Sequence, residues 1–151
     1  MARYTIQIRT PWSPAQSFAY MADLRNFARW DPGVRNVTQT RGEGGGDASV
    51  FDVTVAGVPK DIVLTYRTIE YESPRRVLVL ARSRVFTSED RIVVTPDGDG
   101  SIVEYDAQLR FNGVLAVADL ALRPLFARIA GRAANGLRIA LEGTNVEEGH
   151  T

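Results

Sequence analysis

The side chains of this sequence that can take part in chemistry are carboxylates, hydroxyls and arginines. There is no cysteine, and the single histidine, His150, is the second-last residue. Thiolate zinc sites, cysteine nucleophiles and a serine–histidine–aspartate triad on a packed framework therefore all lack a component. No cofactor motif is present, because the glycine-rich turn at 44–46 lacks the following helix and the lysine of a phosphate-binding loop. We expect neither a metal ion nor a cofactor.

The clearest pattern among the remaining candidates follows the hairpin signal at Asp97–Gly100. Side chains alternate there between apolar and polar, which predicts a strand with one buried face. The residues on that face are Val103, Tyr105, Ala107, Leu109 and Phe111. A hairpin pairing that buries the apolar residues of the preceding strand also turns Phe86, Ser88 and Asp90 inward. Arg91 then points outward, opposite Glu104 or Asp106, as a solvated cross-strand pair.

Asp90 is the most informative of these residues. An inward carboxylate on a sheet face costs several kcal/mol unless it is paired, hydrogen-bonded or hydrated. The pairing places Asp90 near Tyr105. Two roles stay open: a structural carboxylate bonded to a tyrosine hydroxyl or to buried water, or a polar anchor or general acid/base whose pKa burial has raised.

The long strand predicted over 61–71 does not show which of its faces is buried. Tyr66 lies on one face and Arg67 on the other, and both faces are half apolar. We favour Tyr66 inward, where its hydroxyl would join that of Tyr105. Arg67 inward is the alternative, and a buried arginine would then need a partner, for which Asp90 is the candidate.

Seven strands and three helical segments are predicted around these residues, in the order β-αα-ββββββ-α. The strands cover residues 4–8, 34–40, 50–56, 61–71, 77–82, 85–95 and 101–111. Ser13 and Gln16 form a capping-box pattern at the start of the first helix, and Asp23 can cap a second short turn. Short turns between successive strands indicate an antiparallel meander.

The C-terminal segment predicts a long amphipathic helix that ends at Gly143. Pro124 near its start predicts a separate lead-in turn over 117–122. Phe126 and Ile129 are among the apolar residues at helical spacing. Small residues at 131, 133, 134 and 136 mean either that the helix lies very close to the sheet or that a void remains above it. Residues 1–143 are predicted to form one α+β domain, and 144–151 a disordered tail.

Three stretches of the chain are similar to one fold family. Residues 22–32 resemble its helix-to-strand corner, with Trp30 two residues before a proline, and residues 97–105 resemble its G-T-x-V-x-Y hairpin, with Ser101 at the threonine position. Asn112-Gly113 before the last helix also matches. The chain thereby resembles the helix-grip fold of START-like, Bet v 1-like and polyketide cyclase/dehydrase-like (SRPBCC) proteins. The resemblance implies a curved antiparallel sheet of about seven strands wrapped on the C-terminal helix, with an internal cavity.

Within that fold, Trp30 is expected to plug the sheet beside the short helices, and the interior residues would line the cavity. The predicted ligand-binding residues are Tyr66, Arg67, Phe86, Ser88, Tyr105, Leu109, Phe126 and Ile129, with Asp90 as the candidate catalytic residue. An inward Arg67 would be similar to the arginine with which aromatic polyketide cyclases of this superfamily bind and polarise substrate carbonyls.

Three functions follow from this arrangement. The first is binding of a hydrophobic small molecule, lipid-like or polyketide-like, and the sparse polar inventory favours it. The second is a cofactor-free polyketide cyclase or dehydratase that uses Asp90 with Tyr66 and Tyr105 or with Arg67. The absence of a usable histidine weighs against this enzyme. The third is an interaction domain that works through its surface, with a collapsed cavity.

Charge and hydropathy restrict the partners further. The chain of 151 residues has 18 basic and 18 acidic side chains, and a net charge of zero argues against nucleic acid or an anionic membrane as the main partner. The first residues lack the apolar core of a signal peptide, and no apolar run approaches the ~20 residues that span a bilayer. We therefore expect a cytoplasmic protein without membrane insertion, either a monomer or a homodimer.

Overall fold

The computed structural model describes residues 2–57, 60–84, 86–112 and 118–146, with the side chains of 2, 118–123, 125 and 126 left out of the description. The strands are β1 Ala2–Thr10, β2 Val34–Arg41, β3 Val50–Val55, β4 Ile62–Glu72, β5 Arg76–Arg82, β6 Phe86–Asp97, β7 Gly100–Phe111 and β8 Thr144–Asn145. The helices are α1 Pro14–Ala22, α2 Phe27–Trp30 and α3 Ala118–Ala140, with a 3-10 turn at Leu24–Asn26 before α2. Every predicted strand is present, with ends that differ by at most two residues.

All eight strands form one antiparallel sheet in the order β2-β3-β4-β5-β6-β7-β1-β8. Strands β2 to β7 pair in chain order, and β1 then closes on the far side of β7. This confirms the predicted α+β meander. The inner face of the sheet carries the core, which α1, α2 and α3 cover with side chains such as Phe18, Met21, Phe27 and Leu137. No helix among the described residues is both long enough and apolar enough to cross a membrane.

The turns into the short helices are the ones that the sequence predicts. Ser13 Oγ accepts from the backbone N–H of Gln16 at 3.2 Å, and Gln16 Oε1 accepts from the Ser13 N–H at 3.2 Å. Asp23 Oδ1 accepts from the backbone N–H of Arg25 at 3.1 Å. These bonds satisfy N–H groups that a helix start leaves without partners, so the capping-box prediction and the Asp23 cap are both confirmed.

The C-terminal region differs from the prediction in two ways. Pro124 lies inside a continuous helix and does not split off a lead-in turn; a proline removes one helical hydrogen bond, and packing of the helix can offset that loss. The tail predicted to be disordered from residue 144 instead begins with β8, which pairs with Ile8 and Arg9 of β1. Glu142 adopts a left-handed conformation with φ of 53°, and this turn leads the chain back onto the sheet. Residues 147–151 lie outside the described residues.

Small residues on α3 have a specific packing role. A Cβ added at Gly136 would overlap the backbone carbonyl oxygen of Trp30, whereas a Cβ at Gly131 would meet no atom within 4 Å. Ala133, one turn before Gly136, is fully buried. Gly136 is therefore required because α3 packs closely against the end of α2 at this position.

Candidate ligand site on the inner face of the sheet

Asp90 lies on the inner face of β6, as the predicted pairing required. It pairs with Ala107 of β7 and has 4% of its surface exposed. The hydroxyl of Tyr105, two residues before Ala107 on β7, donates to Asp90 Oδ2 at 2.6 Å. A carboxylate in an otherwise apolar wall thus has a short, charge-assisted bond to a neighbouring strand.

Tyr66 provides the second polar pair on this face. It lies inward on β4 with 8% exposure, and its hydroxyl is 2.8 Å from Ser88 Oγ in a buried hydrogen bond. The prediction that Tyr66 faces inward is confirmed. Arg67 is exposed on the outer face, opposite Leu80, so the alternative of a buried Arg67 paired with Asp90 is wrong. The inner face of β4 packs on buried β3 and β5 side chains, and the outer position keeps the guanidinium in water.

Tyr4, which was not among the predicted site residues, also belongs to this wall. Tyr4 of β1 pairs with Ala107, and its ring centroid is 6.1 Å from that of Tyr105. The row across the sheet therefore runs Thr68, Val79, Asp90, Ala107, Tyr4. The inward position of Tyr4 could have been predicted from the sequence, because the alternation of Tyr4, Ile6 and Ile8 along β1 places Tyr4 on the core face.

An aromatic cluster packs on Tyr105, next to this row. The ring of Trp30 is 4.8 Å from that of Phe27 and 5.4 Å from that of Tyr105, with the Tyr105 ring nearly perpendicular. Trp30 is 2% exposed, in agreement with the predicted plug beside the short helices. Trp30 and Asp31 also line an open cleft of about 570 Å³ between the α2–β2 corner and α3.

Burial sets the ionisation of these groups. It raises the pKa of Asp90 from 3.8 to about 7, against the hydrogen bond from Tyr105, which lowers it. Burial also raises the pKa of Tyr4, Tyr66 and Tyr105 above the ordinary value, with the Asp90 charge as the next cause. The three hydroxyls are thus neutral donors at physiological pH, while Asp90 exchanges its proton near neutrality.

Asp31 contributes a second carboxyl near this cluster. Burial raises its pKa, against a hydrogen bond from the backbone N–H of Gly33 to Asp31 Oδ1 at 2.9 Å. Its charge in turn raises the pKa of Asp90. Two carboxyls, Asp90 on the inner face and Asp31 in the turn after α2, therefore lie near the cluster, and no Lys or Arg among the described side chains is buried there.

The remaining predicted ligand-binding residues are not all brought to this cluster. Phe86 and Leu109 are half-buried at one end of the sheet, where Phe86 lies 6.2 Å from Phe111 between ring centroids. Ile129 is 43% exposed, which contradicts its placement on the buried stripe of α3. That stripe runs through Ala130, Ala133 and Leu137, and Ile129 lies beside it. The side chain of Phe126 lies outside the described residues.

The ion pairing of Arg91 differs from expectation, although its position on the sheet does not. It pairs with Asp106 in register, but the Asp106 carboxylate accepts from Arg3 Nε at 3.0 Å and from Arg3 Nη2 at 2.7 Å. Asp106 is 4% exposed, and Arg91 Nε is buried without an acceptor among the described residues. Arg91 therefore lies opposite Asp106 as predicted, but Arg3 of β1 supplies the ion pair of Asp106.

Comparison with known proteins gives the family context of this arrangement. The family model described as "Polyketide cyclase / dehydrase and lipid transport" matches residues 1–142. The protein TTHA0849 from Thermus thermophilus superposes with a TM-score of 0.73 and 16% identity, over 93% of this chain and 94% of that chain. A START superfamily protein from Mycobacterium smegmatis superposes with a TM-score of 0.73 and 13% identity, over 93% and 97% of the two chains.

A third structure carries two domains. The di-domain ARO/CYC StfQ from the steffimycin biosynthetic pathway superposes with a TM-score of 0.68 and 10% identity, over 93% of this chain and 49% of StfQ. Identities this low show a shared fold and do not transfer a ligand or a reaction. A search of the curated proteins finds no match to the sequence.

Proposed function

The chain belongs to the polyketide cyclase/dehydrase and lipid transport family, and we propose that it acts by binding a hydrophobic small molecule between the inner face of the sheet and α3. The observation that carries this proposal is the pair formed by Asp90 and Tyr105, buried in an otherwise apolar wall. A ligand would gain about 25 cal/mol for each Å² of apolar surface removed from water, and the few polar groups would orient it.

Two buried polar pairs give that wall its specificity. Tyr105 with Asp90, and Tyr66 with Ser88, are each satisfied in the protein and each contain a hydroxyl that can turn towards a ligand oxygen. The pairs lie on neighbouring rows of the sheet, because Val79 pairs with Asp90 and Ala81 with Ser88. Apart from Thr68, the inner face beside these pairs is apolar, which suits a ligand with a large apolar body and few polar atoms.

Binding is tested first on the purified protein and then with a matched pair of variants. Native mass spectrometry should show a co-purified apolar molecule, or binding of an added neutral probe such as N-phenyl-1-naphthylamine should enhance its fluorescence. Ala107→Leu places extra volume on the inner face beside Asp90 and should weaken probe binding about tenfold or more. Gln108→Leu adds an apolar group to the outer face of the same strand and should leave binding unchanged. Equal probe affinity in two folded variants would rule out the inner face as the site.

A second function, a cofactor-free dehydratase, is favoured by one observation, the pKa of about 7 at Asp90. At that pKa the carboxylate can remove the proton α to a carbonyl and return it to the leaving hydroxyl, so that a carbon–carbon double bond and one water form. Tyr105 or Tyr66 would donate to the enolate oxygen.

Dehydration of 4-hydroxy-4-phenylbutan-2-one to its conjugated enone, followed by ultraviolet absorbance, tests this second function. Turnover should rise with pH through about 7 and should vanish in Asp90→Asn while ketone binding persists. Turnover that survives in Asp90→Asn, or binding without any turnover, would leave ligand binding as the function.

A further inference from the structure

The indole N–H of Trp30 is a buried donor without an acceptor in the part of the chain that the structure describes. Trp30 is 2% exposed, and its Nε1 atom has no hydrogen-bond partner among the described residues. Thr68 Oγ1, on the inner-face row that contains Asp90, is a second buried polar atom for which the described ranges offer no partner. Native proteins satisfy nearly all such groups, because a buried donor that has lost water and gained no acceptor costs free energy. A ligand atom that accepts from the Trp30 N–H would complete the hydrogen bonding of this wall.

Trp30 is held rigidly beside the polar cluster of the proposed site. Its ring contacts Phe27 and Tyr105, and the Tyr105 hydroxyl is bonded to Asp90. Its backbone is fixed by the close approach of α3 at Gly136. These contacts from the rings and from α3 set the position of the indole N–H next to the Tyr105–Asp90 pair.

The charge of the cluster restricts what could accept this hydrogen bond. Asp90 and Asp31 make the interior acidic, and no buried Lys or Arg among the described residues could balance an anion. A ligand carboxylate or phosphate would be desolvated beside like charges. A neutral carbonyl oxygen accepts a hydrogen bond without that penalty, and its aromatic or aliphatic body suits the surrounding rings.

We propose that Trp30 is a specificity-determining residue whose indole N–H donates to a neutral carbonyl oxygen of the ligand. This inference rests on the proposed binding function and narrows it to uncharged, carbonyl-bearing apolar molecules, in preference to fatty acids and plain hydrocarbons.

The test compares two probes of nearly equal shape, 2-acetylnaphthalene and 2-isopropylnaphthalene. The chain has two tryptophans, Trp12 and Trp30, so a ¹⁵N-labelled sample gives two indole signals, which the Trp12→Phe variant assigns. The ketone should move the Trp30 indole proton downfield, and the hydrocarbon should not. The wild-type protein should bind the ketone about tenfold more tightly than the hydrocarbon.

Trp30→Phe keeps an aromatic ring and removes the donor. This variant should bind both probes with the affinity that the wild type shows for the hydrocarbon. If the variant does not fold, the indole shift of the wild-type protein decides alone.

Each contrary result points to a different failure. An indole signal that neither probe shifts would overturn the role of Trp30 and leave the binding function intact. The N–H would then be directed at the Tyr105 ring or at a retained water. Tighter binding of 2-naphthoate than of the ketone would overturn the preference for neutral ligands. Failure of the wild-type protein to bind either naphthalene would instead count against the proposed function itself.

Discussion

At the scale of single residues, the fold keeps a carboxyl group where water is excluded. Asp90 has one strong donor in Tyr105, and burial still raises its pKa to about 7. Such a group lowers the free energy of unfolding at neutral pH, because burial penalises its charged form. Residues of this kind are common where a protein binds or transforms a ligand, and that association supports the proposed site.

The raised pKa predicts that Asp90 makes stability fall with rising pH. The folded protein holds the Asp90 proton more tightly than the unfolded chain does, so the favourable contribution is complete below about pH 4 and is lost as pH rises through about 7. Asp90→Asn removes this dependence and should be more stable than wild type at pH 8 by up to about 4 kcal/mol. Urea unfolding at pH 4 and pH 8 measures the difference. Glu89→Gln, on the outer face of the same strand, is the control, and an equal gain in that variant would contradict the prediction.

The Tyr105 hydroxyl should matter more than that of Tyr66, because its acceptor is charged at high pH. Tyr105→Phe should cost about 2–3 kcal/mol at pH 8, and Tyr66→Phe, whose partner is the neutral Ser88, about 1 kcal/mol. Tyr105→Phe should also raise the Asp90 pKa further, which carbonyl ¹³C NMR of the carboxyl group can follow. A smaller cost for Tyr105→Phe than for Tyr66→Phe at pH 8 would show that Asp90 has other compensation.

At the scale of elements, α3 lies against α2 through a position where only glycine fits. Trp30 closes α2 and at the same time presents its carbonyl oxygen to Gly136. The contact between α2 and α3 therefore fixes the position of Trp30, the residue that we propose determines ligand specificity. We therefore expect that a substitution that disturbs the packing of α3 on α2 also changes the orientation of the indole ring.

Two glycines of α3 form a matched pair that tests this packing. Gly136→Ala should destabilise the protein by about 1–3 kcal/mol, because its Cβ would overlap the Trp30 carbonyl. Gly131→Ala meets no atom within 4 Å and should stabilise the helix by about 0.5–1 kcal/mol. Thermal unfolding of both variants gives the comparison. Similar effects of the two substitutions would mean that α3 does not press on α2 in solution.

At the scale of the whole molecule, all the strands belong to one sheet, and the proposed site lies on its inner face. We therefore expect ligand binding to stabilise the entire fold. A ligand that binds only the folded state at a concentration of 100 times its Kd adds about 2.7 kcal/mol to the free energy of unfolding. For a chain of 151 residues this raises Tm by roughly 5–10 °C. A thermal scan with 2-acetylnaphthalene measures the rise, which tenfold weaker binding in Ala107→Leu should reduce to about half. An equal rise in that variant would place the binding site elsewhere.

Local patterns in the sequence were enough to predict seven of the strands, the capped helices and the inward position of Asp90 beside Tyr105. These features depend on the two-residue period of a strand, on capping side chains and on tight turns, which act over a few residues. The burial of Trp30 was predictable for the same reason, since a large aromatic residue at a helix-to-strand corner favours the core.

The tertiary structure decided what local pattern left open. Both faces of β4 are half apolar, so only the packing on β3 and β5 selected Tyr66 over Arg67. Likewise, β8 exists because the turn after α3 leads the chain to β1, and Asp106 binds Arg3, which lies 103 residues away in sequence. Contacts between distant segments depend on which surfaces fit together, and the period of a single strand or helix carries no information about its neighbour. The Trp30 N–H, which has no acceptor among the residues that the structure describes, belongs to this second class, because a missing partner is visible only in the tertiary structure.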